Sequence, residues 1–176
     1  MKICLPLATL AFALLVSGCG QKDAAPAAGS TTAAAPAPAA GPRVIELTAN
    51  DTMKFMMGDK ASSAAAPLII EAKAGEQLKF VLTNTGTVPK EVMGHNLVLL
   101  KAGSDAGAFS TAATVAKDTD YIPPALKDEV IAHTEVLGPR KSAEFTITVP
   151  AAGEYPFLCS FPAHFLSGMK GTLVVK

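Results

Sequence analysis

From Ser142 to Val149 the chain alternates without a break: Ala143, Phe145, Ile147 and Val149 are apolar, and polar residues stand between them. A period of two puts one set of side chains on each face of an extended strand, so this stretch reads as a half-buried β-strand. The same grammar recurs along the second part of the chain. Val44 to Leu47, Leu68 to Glu71, Gln77 to Leu82, Asn96 to Leu100, Val130 to Val136, Tyr155 to Cys159 and Thr172 to Lys176 are short runs of strand formers. Turn residues separate them, Gly58 before the second run and Asn84-Thr85-Gly86 after the third among them. About eight short strands at this spacing predict an all-β protein, a Greek-key β-sandwich or barrel. The run from Asn96 to Leu100 is apolar throughout, as a strand covered on both faces must be. No helical segments alternate with the strands, which argues against a parallel α/β fold.

One segment breaks the pattern. Ala102 to Lys127 has no strand character, and Phe109, Ala112, Ala113 and Ala116 share one face of a short helix that Pro123-Pro124 would not let continue. It is expected to form a helical flap against the sandwich.

The N-terminal part obeys different rules. Met1-Lys2 and an apolar run from Ile3 to Val16 have the length and the small-residue ending of a secretory signal. Val16-Ser17-Gly18-Cys19 resembles a bacterial lipobox, which makes Cys19 the expected lipidated residue and residues 1–18 the expected signal peptide. Residues 19–42 are Ala/Pro-rich and carry almost no large apolar side chain, so they are expected to be a disordered linker. The folded domain is then expected to span residues 43–176. Fifteen basic residues balance fifteen acidic ones, and no basic run suggests nucleic acid or an anionic membrane surface. With Cys4 in the leader and Cys19 at the processing site, Cys159 is alone in the domain, and no disulfide framework can be built there.

That lone thiol stands in Cys159-Ser-Phe-Pro-Ala-His164-Phe-Leu-Ser-Gly-Met169, a short loop between two strand-like runs. Sulfur with imidazole favours copper or zinc over magnesium or calcium. A second imidazole, His95 in Met93-Gly94-His95-Asn96, completes a two-histidine, one-cysteine set with a weak methionine, the pattern of a type 1 (blue) copper site. Four side-chain donors leave no open position for a substrate, whereas catalytic metals keep one. The reading is therefore a one-electron carrier and not an enzyme. Met53, Met56 and Met57 keep a copper chaperone or storage protein as the alternative, and a metal-free adhesion module is a third possibility.

Asn50-Asp-Thr-Met-Lys-Phe55, Val88-Pro-Lys-Glu-Val-Met-Gly-His-Asn96, Val130-Ile-Ala-His-Thr134, Cys159-Ser-Phe-Pro-Ala-His164 and Met169-Lys-Gly-Thr-Leu173 together resemble the azurins, over Arg43 to Lys176. The lipobox and the Ala/Pro-rich leash also resemble the lipid-modified azurins of some Gram-negative bacteria. The resemblance implies a cupredoxin fold in which His95, Cys159 and His164 bind one copper ion, Met169 is axial and the Gly94 carbonyl approaches from the opposite side. Asn96 is expected to hydrogen-bond across to the cysteine loop. His164 is expected to show its ring edge through an apolar docking patch of Val88, Val92, Met93, Phe161, Pro162, Ala163 and Leu166. His133 matches a surface histidine and Met53 a packing residue. The implied partners are redox proteins such as c-type cytochromes or periplasmic reductases, met on the periplasmic side of a bacterial membrane or at the cell surface through the lipid anchor. The chain also departs from the azurins. It has four residues, Phe165 to Gly168, between His164 and Met169 where azurins have three; Arg43 and Gly75 stand where a disulfide would be; and it contains no Trp.

Overall fold

The computed structural model describes residues 41–176. The expected signal segment, Cys19 and nearly all of the expected linker lie outside the described residues. In chain order the elements are β1 (Arg43–Asn50), β2 (Lys54–Met57), β3 (Lys60–Ala61), β4 (Leu68–Ala72), β5 (Gln77–Asn84), the single helical turn α1 (Lys90–Met93), β6 (Val98–Leu100), α2 (Ala106–Ala113), β7 (Val130–His133), β8 (Ser142–Thr148), β9 (Gly153–Leu158) and β10 (Lys170–Val175). Two 3₁₀ turns, Lys117–Thr119 and Pro124–Glu129, connect α2 to β7.

The strands form two five-stranded sheets, ordered β3-β2-β1-β5-β8 and β4-β10-β9-β6-β7. The chain crosses between sheets after β3, β4, β5, β7 and β8. Such crossings let two sheets share one core, and they make β1 parallel to β5 and β4 parallel to β10 while the other pairs are antiparallel. The expected sandwich is present with ten strands rather than about eight. The additional strands are β2 and β3. In β2 only Phe55 is buried, and β3 is two exposed residues, so neither carries a period that a sequence could show. Ser62 N–H donates to the Phe55 carbonyl and Ser62 Oγ accepts from Phe55 N–H, which holds this edge in place.

The inner faces are as apolar as the alternation requires. Leu78, Phe80 and Leu82 of β5 are buried, as are Ile147 and Val149 at the end of the β8 segment. Ala143 and Phe145 are only half-buried, because β8 is a sheet edge. The continuous run at β6 has a direct cause. Leu97 and Leu99 enter the core between the sheets, while Val98 and Leu100 join Phe109, Ile122 and Leu158 in a second cluster on the outer face. The flap supplies that second cluster. Asp105 caps α2 by accepting from the backbone of Gly107 and Ala108, and the helix buries Phe109 and Ala113. It ends at Ala113, well before Pro123-Pro124, so the prolines do not terminate it; Pro124 instead opens the second 3₁₀ turn. Ala112 and Ala116 are accordingly half-buried rather than core.

Candidate metal centre

β9 and β10 pair antiparallel up to Leu158 and Lys170, so Cys159 and Met169 leave the sheet side by side. The loop between them closes on its own backbone. Cys159 N–H donates to the Met169 carbonyl at 3.1 Å, and Met169 N–H donates to the His164 carbonyl at 3.0 Å. His164 N–H reaches Phe161, Ser167 N–H reaches Ala163, and Gly168 N–H reaches Phe165. Three donor-bearing residues are thereby tied into one rigid unit. Gly168 is left-handed (φ 95°), and a Cβ there would run into the backbone of Ser63 and Ala64. Glycine is the residue that this approach tolerates.

The second segment arrives from the other sheet. After α1 the chain passes through Gly94, where a Cβ would collide with Val136 and with the Lys90 carbonyl. His95 then forms an antiparallel bridge to Leu137, donating to its carbonyl at 3.2 Å and accepting from its N–H at 2.7 Å. Buried Asn84 donates to that same Leu137 carbonyl. The main chain of His95 is satisfied twice over, and its ring is free to serve another purpose.

The structure brings His95, Cys159 and His164 together, with their donor atoms within 4.8 Å of one another. The Cys159 Sγ lies 3.4 Å from His164 Nδ1, and the two imidazole centroids are 4.8 Å apart. Cys159, His95 and Met169 are fully buried, and His164 is 2% exposed. Desolvation raises the Cys159 thiol to about 12 and lowers His95 to about 4 and His164 to about 3. In the absence of a cation the site therefore holds one neutral thiol and two neutral rings. Both ring nitrogens of His95 are buried without any hydrogen-bond partner. Leaving such a group unpaired costs roughly 1–3 kcal/mol. A cation that accepts nitrogen and sulfur donors would satisfy them, and the donor set is the soft one that suits copper.

Surrounding residues hold the two segments in register. Asn96 donates through Nδ2 to Ser160 Oγ at 2.8 Å and to the Asp120 carbonyl at 3.2 Å, and its Oδ1 accepts from Ser160 N–H at 2.8 Å. Ser160, next to Cys159, escaped notice in the sequence, although its place beside the sole domain cysteine was a signal. Asp51 escaped it too. Its carboxylate accepts from the backbone of Thr87 and Val88, on the approach to α1, and those bonds hold it below the usual carboxylate range. Asn50 to Phe55 was part of the resemblance to the azurins, but its residues carried the composition of a turn and nothing that tied the Asp51 carboxylate to the approach to His95.

Around the site Val92 is 64% exposed and Leu166 77% exposed, Ala163 is exposed, and Val88, Met93 and Pro162 are half-buried. Phe161 and His164 differ from expectation. Phe161 is buried, its ring packed on Tyr121 at 5.0 Å and on His164 at 4.9 Å. It covers the histidine from within, and the ring edge does not emerge. His133 is exposed, with Nδ1 at 3.0 Å from the Thr134 carbonyl and outside the donor cluster. Met56 and Met57 are neighbours on β2 and so face opposite sides of the sheet. Met57 packs on the core, and Met53 accepts a hydrogen bond from Ser167. The three thioethers do not form one cluster.

Comparison with known proteins agrees with this geometry. The family described as copper binding proteins, plastocyanin/azurin family, matches residues 49–176. Azurin of Pseudomonas chlororaphis is 44% identical over 98 residues, covering 54% of this chain and 75% of the relative. Outer membrane protein H.8 of Neisseria meningitidis serogroup B is 37% identical over 179 residues, covering 90% of this chain and 92% of the relative. Among solved structures, reduced auracyanin from Roseiflexus castenholzii superposes with a TM-score of 0.62 at 32% identity, covering 76% of this chain and 96% of that one.

Proposed function

The chain belongs to the plastocyanin/azurin family of copper binding proteins, and from that premise we propose that it is an exported, membrane-tethered one-electron carrier whose copper is held by His95, Cys159, His164 and Met169, with the Gly94 carbonyl nearby. The observation that carries this reading is the buried meeting of one thiol and two imidazoles, with both nitrogens of one imidazole unpaired. Bound there, copper supplies a one-electron couple.

The protein's own contribution is rigidity and dryness. Cys159 Sγ holds its proton until a cation displaces it, and the two rings are already unprotonated near neutral pH, so only one ligand proton must leave. The loop bonds and the Asn96–Ser160 pair keep the donors in one arrangement whatever charge they surround. Little has to move, which is what rapid single-electron exchange requires. Donors buried and fully committed leave no room for a substrate, so the domain is not an enzyme on this reading. Val88, Val92, Met93, Pro162, Ala163 and Leu166 offer an apolar rim over His164 for brief docking of redox partners, such as c-type cytochromes or periplasmic reductases. Likeness to a protein named for the outer membrane, over 90% of this chain, supports export and membrane association; the lipobox Val16-Ser17-Gly18-Cys19 is what makes a lipidated Cys19 the proposed anchor.

Purified protein given Cu(II) should turn intensely blue through thiolate-to-copper charge transfer and bleach reversibly with ascorbate. Cys159→Ser should abolish the colour. A colourless protein that binds only Cu(I) overturns the electron-carrier reading in favour of a chaperone.

A further inference from the structure

The turn between β1 and β2, Asn50 to Lys54, supplies no donor, yet it touches both segments that do. It is fixed internally. Asn50 Oδ1 accepts from Thr52 N–H at 3.1 Å and from its hydroxyl at 2.6 Å, and Met53 N–H donates to the Asn50 carbonyl at 3.0 Å. Met53 is left-handed at φ 55°, a conformation that a residue with a side chain seldom adopts without support. One arm of the turn is Asp51, whose carboxylate accepts from Thr87 N–H at 2.8 Å, Thr87 Oγ1 at 3.0 Å and Val88 N–H at 3.4 Å. That stretch runs directly into α1 and His95.

The other arm reaches the cysteine loop. Lys54 Nζ donates to the Ser167 carbonyl at 2.9 Å, and Ser167 Oγ donates to Met53 Sδ at 3.5 Å. Beside it Gly168 lies against the backbone of Ser63 and Ala64. Ser167 and Gly168 stand between His164 and Met169, in the part of the loop that has the additional residue. The Lys54 ammonium is half-buried and forms no salt bridge among the described residues. Its charge is spent on a carbonyl of the ligand loop. A hydrogen bond from an ionised donor is about twice as strong as a neutral one. Phe165 secures the opposite side of the loop, packing into the flap cluster beneath the Lys170 ammonium.

We infer that Lys54 is a positioning residue for the copper site, the end of a brace from the Asn50–Lys54 turn that holds the Ser167–Met169 stretch against the His95 segment. The inference rests on the copper reading above. Two effects separate cleanly. The hydrogen bond holds the loop's shape, and the positive charge favours the reduced, less positive metal.

The test compares Lys54→Met, which removes both effects, with Lys54→Gln, which keeps a donor and removes the charge. Copper-loaded wild type and variants are measured by electron paramagnetic resonance, by redox titration, and by copper release to a chelator. Lys54→Met should alter the spectrum, lower the potential and release copper about tenfold faster, the factor expected for losing one charge-assisted bond. Lys54→Gln, with a neutral and weaker donor, should restore the spectrum and most of the release rate while the potential stays low. A merely structural lysine would shift the melting temperature and leave the spectrum alone. A blue wild type whose Lys54→Met variant matches it in spectrum and release rate overturns the brace alone. A wild type that never turns blue overturns the copper reading and the brace with it.

Discussion

Asn96→Ala isolates the contact between the two segments of the site. Asn96 is fully buried and makes three hydrogen bonds, two with Ser160 and one with the Asp120 carbonyl. Truncation to alanine leaves the Ser160 N–H without its partner in a site that water does not reach. An unsatisfied buried donor costs about 1–3 kcal/mol, and each lost net bond about 1 kcal/mol more. The metal-free domain should therefore lose about 3–4 kcal/mol, a large share of the roughly 5–15 kcal/mol that holds a domain together. Urea unfolding of the metal-free protein would show this as a midpoint lowered by about 2 M with an unchanged slope. Ser160→Ala keeps the N–H and loses only the hydroxyl, so it should cost about 1 kcal/mol. The double variant should then fall short of the sum by roughly 1 kcal/mol, because the hydroxyl bond is counted in both single changes. A loss below about 1 kcal/mol in Asn96→Ala, or strict additivity with Ser160→Ala, would refute the claim that this side chain pins the cysteine loop.

Acid should weaken the metal-free protein in two stages. His95 and His164 have folded values of about 4 and 3 against an ordinary 6.5, so between those limits the unfolded chain binds more protons. Their contribution is complete above about pH 6.5 and falls as pH drops, by about 2 kcal/mol for each histidine by about pH 5. Glu71, held low by Lys176, and Glu76, held low by Arg43, act in the same direction at lower pH, since their stabilisation is lost as pH falls through their folded values. Chemical denaturation at a series of pH values, with His95→Ala and His164→Ala for comparison, reads the first stage; a flat profile between pH 7 and 5 would contradict it. The loop of four residues between His164 and Met169 should bring the thioether closer to the metal and distort the site toward tetrahedral. A rhombic paramagnetic resonance spectrum that shifts when one residue from Phe165 to Gly168 is deleted would support this, and a fully axial spectrum counts against it.

Period and chemistry were enough to read the architecture and the donor types. The alternation at Ser142–Val149 and the unbroken run at Asn96–Leu100 announced a half-buried strand and a doubly covered strand, because burial dictates side-chain polarity residue by residue; that the first lies at a sheet edge was decided by the fold. Cys159, His164 and Met169 announced a soft metal site, because few other uses bring those side chains together on one short loop. Tertiary structure decided the rest. Whether Phe161 is surface or lining depends on Tyr121, forty residues earlier in the chain, packing against it. That Asp51, Lys54 and Ser160 belong to the site depends on contacts across 36, 113 and 64 positions of sequence. Local pattern records what each residue must bury. It carries no record of which distant segment will arrive to meet it, and the rigidity of this site is made from those meetings.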